Sequence, residues 1–278
     1  MARAVRIAVL AATTTLAIAA NTASAETRAP GATPVKLDTK ALEAALGAST
    51  EDAVLAALGT IREAGEGGAA LAPAVEKLLD RGTTVTLGKA AMETLATLGK
   101  PSSSAAIRPY LRHRTPELRR AAVRALGKTK GPEAVAGFRE GLRSDDGMLR
   151  GYSASGLGAL GAKEALPDLF LALDRGVVEA ATAVGQLCAG AECKKLTGYL
   201  GKLPLDVVTS GIDAALFRSP PLDEALLLDL VTAVRELATP EAGKYLADVA
   251  SRWPATGSQK VKKALDQAVA MIPGSLGG

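Results

Sequence analysis

Between Thr115 and Arg143 the chain reads TPELRRAAVRALGKTKGPEAVAGFREGLR, and its apolar positions fall into two groups. Leu118, Ala122, Val123 and Leu126 share one face at the three- and four-residue intervals of an amphipathic helix, and Ala134, Val135, Phe138 and Leu142 do the same for a second. Thr115 followed by Pro116 and Glu117 predicts a capped helix start, and Gly131-Pro132 predicts the break between the two helices. The stretch therefore reads as a helical hairpin. Alone it leaves its apolar stripe in water, so it needs neighbours of the same kind.

Those neighbours are present. A shift of 31 residues carries Leu126 onto Leu157, Gly127 onto Gly158, Ala134 onto Ala165, Phe138 onto Leu169 and Leu142 onto Leu173. One step back finds Leu95, Ile107 and Leu111 in the same phase. The pattern predicts paired helices at about 50–81, 84–113, 115–144, 147–175 and 177–202. The fifth pair is shortened, because a shift of 27 residues carries Leu157, Leu160, Leu169 and Leu173 onto Val184, Leu187, Leu196 and Leu200. Less regular pairs follow at 205–237 and 239–271, and DTKALEAALG at 38–47 reads as a capping helix. The predicted fold class is all-α: an α-solenoid, or superhelix, of stacked antiparallel helical hairpins over residues 37–271.

The repeat also disposes of a false lead. Gly156, Gly158 and Gly161 have the G-x-G-x-x-G spacing that cradles a pyrophosphate, but that function needs a buried strand before the glycines. MLRGYSASG precedes them and has no apolar run. In the repeat alignment Gly156 falls on Ala125 and Thr94, and Gly161 on Lys130 and Gly99, so the three glycines are not kept as a set.

Composition agrees with closely packed helices: 48% of residues are hydrophobic but only 3% are aromatic. The first 25 residues combine Arg3 and Arg6, the apolar run IAVLAATTTLAIAA and Ala23-Ser24-Ala25, which is the layout of a secretory signal peptide cleaved after Ala25. The run is too short to span a membrane, and no later stretch is long and uncharged enough to do so, so no stable membrane insertion is expected. Residues 26–36 read as a flexible leader and 272–278 as a flexible tail. The expected location is periplasmic or extracellular. The formal charge of +4 falls to +2 without Arg3 and Arg6, a mild imbalance that argues for no particular partner.

LRRAAVRALGKTKGPEAVAGFREGL and LRGYSASGLGALGAKEALPDLFLAL resemble HEAT repeats, specifically the short bacterial HEAT-like units named after phycobilisome lyases. The resemblance covers nearly all of 50–203 and fades toward 271. It implies an α-solenoid with the first helix of each hairpin outside and the second lining the concave side. Most members are binding scaffolds, so it implies no activity.

Candidate chemistry is sparse. Cys188 and Cys193, in QLCAGAECKKL, are the only cysteines; they fall at a turn, and in an exported protein they are expected to pair. The sole histidine, His113, lies between Arg112 and Arg114 and reads as a helix-end surface residue. GYSAS at 151 misses the nucleophile-elbow pattern at Ser155 and lies inside a helix. No catalytic residue, metal site or cofactor is indicated.

The basic residues are the functional lead. Arg108, Arg112, Arg114, Arg119, Arg120, Arg124, Lys128 and Lys130 face a single acid, Glu117, within residues 108–130. In repeat register Arg108 lies beside Arg139 and Arg112 beside Arg143, each pair four residues apart on the second helix of its hairpin. Like charges so placed are expected to repel, to cost stability and to bind an acidic protein or an anionic envelope polymer. Nucleic acid is not expected, because stacking aromatics are absent. The reading is an exported, non-enzymatic scaffold that binds through Arg108, Arg112, Arg139 and Arg143 on its concave face; the alternative is an enzyme accessory or a lyase-like catalyst using the same groove.

Overall fold

The computed structural model describes residues 37–272. The signal segment read at 1–25, the leader at 26–36 and all of the tail except Ile272 lie outside them. Among the described residues every regular element is a helix.

A short helix, α1 (Thr39–Ala45), is capped by Asp38, whose carboxylate accepts the Ala41 N–H. Hairpins follow. The first pairs α2 (Glu51–Ala64) with α3 (Ala72–Asp80), and the second pairs α4 (Val85–Leu98) with α5 (Ser104–Ile107), which runs on into a 3-10 turn over Arg108–Arg112. Next come α6 (Pro116–Thr129) with α7 (Pro132–Gly141), and α8 (Gly147–Ala159) with α9 (Leu166–Asp174). The shortened unit is α10 (Glu179–Leu187) with α11 (Ala191–Thr197). The last two are α12 (Leu205–Leu216) with α13 (Glu224–Arg235), and α14 (Pro240–Arg252) with α15 (Gln259–Met271).

Stacking follows from the stripes. The first helices pack in series, α2 on α4, α4 on α6, α6 on α8, α8 on α10, α10 on α12 and α12 on α14. The second helices pair as α3 with α5, α5 with α7, α11 with α13 and α13 with α15. In the middle they lean on the next hairpin instead, α7 on α8 and α9 on α10. The repeat-phase residues Leu95, Ile107, Leu111, Leu126, Phe138, Leu142, Leu157, Leu169 and Leu173 are all buried. The result is the all-α solenoid that the apolar period predicts.

Small residues set how close the first helices come. A Cβ on Gly185 of α10 would lie 1.8 Å from the Gly211 carbonyl oxygen of α12, so only glycine permits this approach. Helix ends follow the repeat as well. Gly99, Lys130 and Gly161, each one 31-residue step from the next, all hold left-handed backbone, with φ of 62°, 51° and 69°. Glycine occupies that conformation freely, whereas Lys130 bears a steric cost there.

Local caps differ in one place from the sequence reading. Thr115 occupies the cap position of α6 but its side chain makes no capping bond; its N–H instead donates to His113 Nδ1 at 3.0 Å. Asp146 is the effective cap of α8, accepting the Met148 and Leu149 N–H groups, and it also receives Arg120 Nε at 2.8 Å from the preceding repeat. Burial pushes the Asp146 carboxyl up, but Arg120 and the two amides outweigh it and hold the pKa below its ordinary value.

Two outcomes follow. Lys130→Gly is expected to raise stability by about 1 kcal/mol, and Gly185→Ala to lower it by about 1–3 kcal/mol, both read from urea midpoints. For Asp146 the folded pKa lies below the unfolded one, so its contribution is present at neutral pH and lost as pH falls through the carboxylate range. Asp146→Ala should therefore be less stable than the parent at pH 7, with the gap closing below pH about 4.

Candidate functional site

Arg108 and Arg112 sit on the 3-10 turn that ends the second hairpin, Arg139 lies in α7, and Arg143 follows it in the turn toward α8. All four line one open groove of about 700 Å³, together with Leu111, Arg119, Ala136, Glu140, Ser144, Asp145 and Leu149. The sequence reading placed them on two regular helices. Pro109 and the tighter turn over Arg108–Arg112 alter the local geometry, yet the residues still converge.

The expected repulsion is not what the structure contains. Arg112 Nε donates to Glu140 Oε1, Arg108 Nη2 lies 3.6 Å from the same carboxylate, and Arg108 Nη1 donates to Glu133. One repeat on, Asp168 of α9 receives Arg139 Nε at 2.7 Å and Arg143 Nη2 at 3.3 Å. Each arginine pair thus converges on a carboxylate from the next second helix. These acids are the sequestered partners: Glu140 and Asp168 side chains are 22% and 16% exposed, whereas Arg112 and Arg143 are 76% and 68% exposed. The acids brace the guanidiniums from beneath and leave their outer edges in solvent. Glu140, by its hydrogen bond and its charge, raises the Arg112 pKa further above its ordinary value, so that side chain is always cationic.

Arg119 forms part of the same wall. Its Nη1 donates to the His113 and Arg114 carbonyl oxygens at 3.2 and 3.4 Å, and Nη2 approaches the exposed Asp145 at 3.7 Å. Five arginines and two carboxylates line the groove, and with the Glu133 and Asp168 carboxylates that pair with those arginines one net positive charge is left.

The braces were missed by the sequence reading for a definite reason. Shifting Glu140 by one repeat of 31 lands on Leu171, so the two bracing acids occupy different phases and no periodic signal links them. The ladder then changes chemistry. Phe170 of α9 is buried and stacks on Tyr199, with Lys195 Nζ 4.1 Å from the Phe170 ring centroid, and Tyr199 donates to Asp174 at 2.6 Å. Burial and that carboxylate push the Tyr199 hydroxyl up to about 12.

The other candidates resolve as structural. Gly156 and Gly158 lie within α8, where Cβ atoms would meet the Phe138 ring at 2.5 Å and the Gln186 side chain at 2.2 Å; Gly161 is the left-handed residue after the helix. They are packing and turn residues, not a phosphate cradle. Ser153, in GYSAS, is buried within α8. Cys188 and Cys193 form a disulfide with Cα atoms 5.2 Å apart; it closes the turn between α10 and α11, and Arg218 Nη1 donates to the Cys188 carbonyl at 2.6 Å. Among the described residues no group of three or more His, Cys, Asp or Glu could hold a metal, and no helix is long and apolar enough to cross a membrane.

Residues 72–151 match the family model of HEAT repeats, a span that contains all four arginines. The solved structures similar to this chain include the complex of CpcE and CpcF of phycocyanin lyase from Nostoc sp. PCC7120, at 17% identity over 87% of this chain and 98% of that one, with a TM-score of 0.47. Human deoxyhypusine hydroxylase in complex with glycerol is 18% identical over 84% of this chain and 95% of its own, with a TM-score of 0.38. A designed armadillo repeat protein is 14% identical over 84% of this chain and all of its own, with a TM-score of 0.41. Among curated proteins none matches.

Because the arginines are braced and not merely crowded, their removal has a sign opposite to that expected from repulsion. Arg139→Ala with Arg143→Ala should lower stability by about 1 kcal/mol, the scale of partly exposed ion pairs, since Asp168 loses both partners. Thermal melts at low and high salt check this, with the difference shrinking at high salt.

Proposed function

We propose that this α-solenoid, whose residues 72–151 match the HEAT-repeat family model, is an exported, non-enzymatic scaffold that captures an acidic segment of a partner protein. The observation that carries the reading is the groove in which Arg108, Arg112, Arg139 and Arg143 converge with carboxylates beneath them. A guanidinium held by one edge keeps its other N–H groups fixed and pre-oriented, so less side-chain freedom is lost when a ligand carboxylate arrives. Lysines at these positions would offer charge without the planar fork.

Export rests on Arg3, Arg6 and Ala23-Ser24-Ala25. A non-catalytic role is supported by what the nearest reactive groups do. His113 Nδ1 is engaged by the Thr115 amide, and Ser153 is enclosed in the helix stack. The partner is assigned as protein and not as a uniform polyanion because Glu140 and Asp145 also line the groove and would repel unbroken negative charge.

The test uses residues 26–278 and a labelled twelve-residue peptide, in which single glutamates alternate with Gly and Ser, in an anisotropy titration. Binding should weaken steeply between 50 and 300 mM salt as screening increases, and Arg112→Ala with Arg143→Ala should weaken it by about tenfold. Polylysine should not bind. Affinity for this peptide that is unchanged in the double variant would remove the groove from the function, and an unprocessed Met1 terminus on the native protein would remove export.

A further inference from the structure

The geometry points to the register of the ligand: a peptide in the polyproline-II conformation carrying two acidic side chains three residues apart, one seated on the Arg108–Arg112 pair and one on the Arg139–Arg143 pair. This deepens the acidic-partner reading and rests on it.

The argument begins with where the charge is concentrated. The four arginines form two clusters, each centred on one carboxylate, Glu140 for the first and Asp168 for the second. The clusters belong to successive hairpins, because Arg108 and Arg112 follow α5 while Arg139 and Arg143 belong to α7 and the turn after it, and α5 packs directly on α7. Packed neighbouring helices lie about 8–10 Å apart. A polyproline-II chain advances about 3.1 Å per residue with three residues per turn, so positions i and i+3 lie on one face about 9 Å apart. Acids at positions i and i+3 therefore match the repeat spacing, whereas adjacent acids can reach only one cluster.

What lies between the clusters fits peptide. Leu111, Ala136 and Leu149 give apolar wall for the intervening side chains, and the exposed Asp145 carboxylate can accept a peptide N–H, whereas it repels a phosphate. Asp145, 89% exposed and 3.7 Å from Arg119 Nη2, lines the groove and disfavours continuous negative charge there. The series also ends on the far side, where the corresponding surface of the next hairpin carries the Phe170–Tyr199 stack in place of a third arginine pair. Two acidic positions, not a long acidic run, are therefore the predicted signature.

The experiment titrates residues 26–278 into labelled twelve-residue Gly/Ser/Ala peptides that each carry two glutamates, spaced i+1, i+3 or i+6, with identical net charge. An oligophosphate serves as competitor. The i+3 peptide is expected to bind about tenfold more tightly than the i+1 peptide, and the preference should disappear in Arg143→Gln, which changes an exposed side chain and leaves Arg139 on Asp168. Equal affinity for all three peptides would overturn the register while leaving the acidic-partner reading in place. Failure of all three peptides together with the alternating-glutamate peptide would overturn both. Stronger binding of the oligophosphate than of any peptide would overturn the register and replace the peptide with a phosphate-rich polymer. Because the spacing series is read on the parent protein, the outcome does not depend on the folding of a variant.

Discussion

No hairpin in this chain can bury its own apolar stripe, and every other feature depends on that constraint. The contacts that close the core run from one repeat to the next, and so do the polar ones. Arg62 reaches Glu93, Arg120 reaches Asp146, Thr182 reaches Ser210 and Arg252 reaches Asp213, each across a hairpin boundary. The arginine groove is the same device on the second-helix side, with its donors left partly in solvent. An arginine-lined groove has formed where a structural ladder is exposed.

The scarcity of aromatic rings is the second condition. Alanine, glycine and leucine allow first helices to approach closely, to the point where Gly185 meets the backbone of Gly211. Phe138, the largest fully buried side chain, fits only because Gly156 offers no Cβ against its ring. A core of this kind is sensitive to added volume and tolerant of changes at its solvated faces.

How much of this is legible in the sequence follows from which features repeat. The apolar phase is periodic through the fifth pair, so the hairpins up to Ala191–Thr197 can be read directly, whereas the two pairs after residue 204 keep the phase only loosely. The arginines are periodic too, and their convergence was readable. Glu140 and Asp168 are not equivalent positions, so the sequence suggested repulsion where the fold supplies a brace. The Thr115 cap was misjudged for a local reason: the preference of threonine for helix starts is real, but His113 Nδ1, two residues away, takes the Thr115 amide while the hydroxyl makes no capping bond. Chemistry that depends on a partner 25 or more residues away is hidden until the register is known.

The central claim is that the arginine face and the repeat stacking are one interaction, and a double-mutant cycle on Arg139 and Asp168, read from urea unfolding of the parent, Arg139→Ala, Asp168→Asn and the combined variant, tests it most directly. The account predicts a favourable coupling of about 0.5–1 kcal/mol that decreases with salt. Strict additivity, or a coupling of the opposite sign, would contradict it and make the arginines a solvated surface with no part in holding the repeats together.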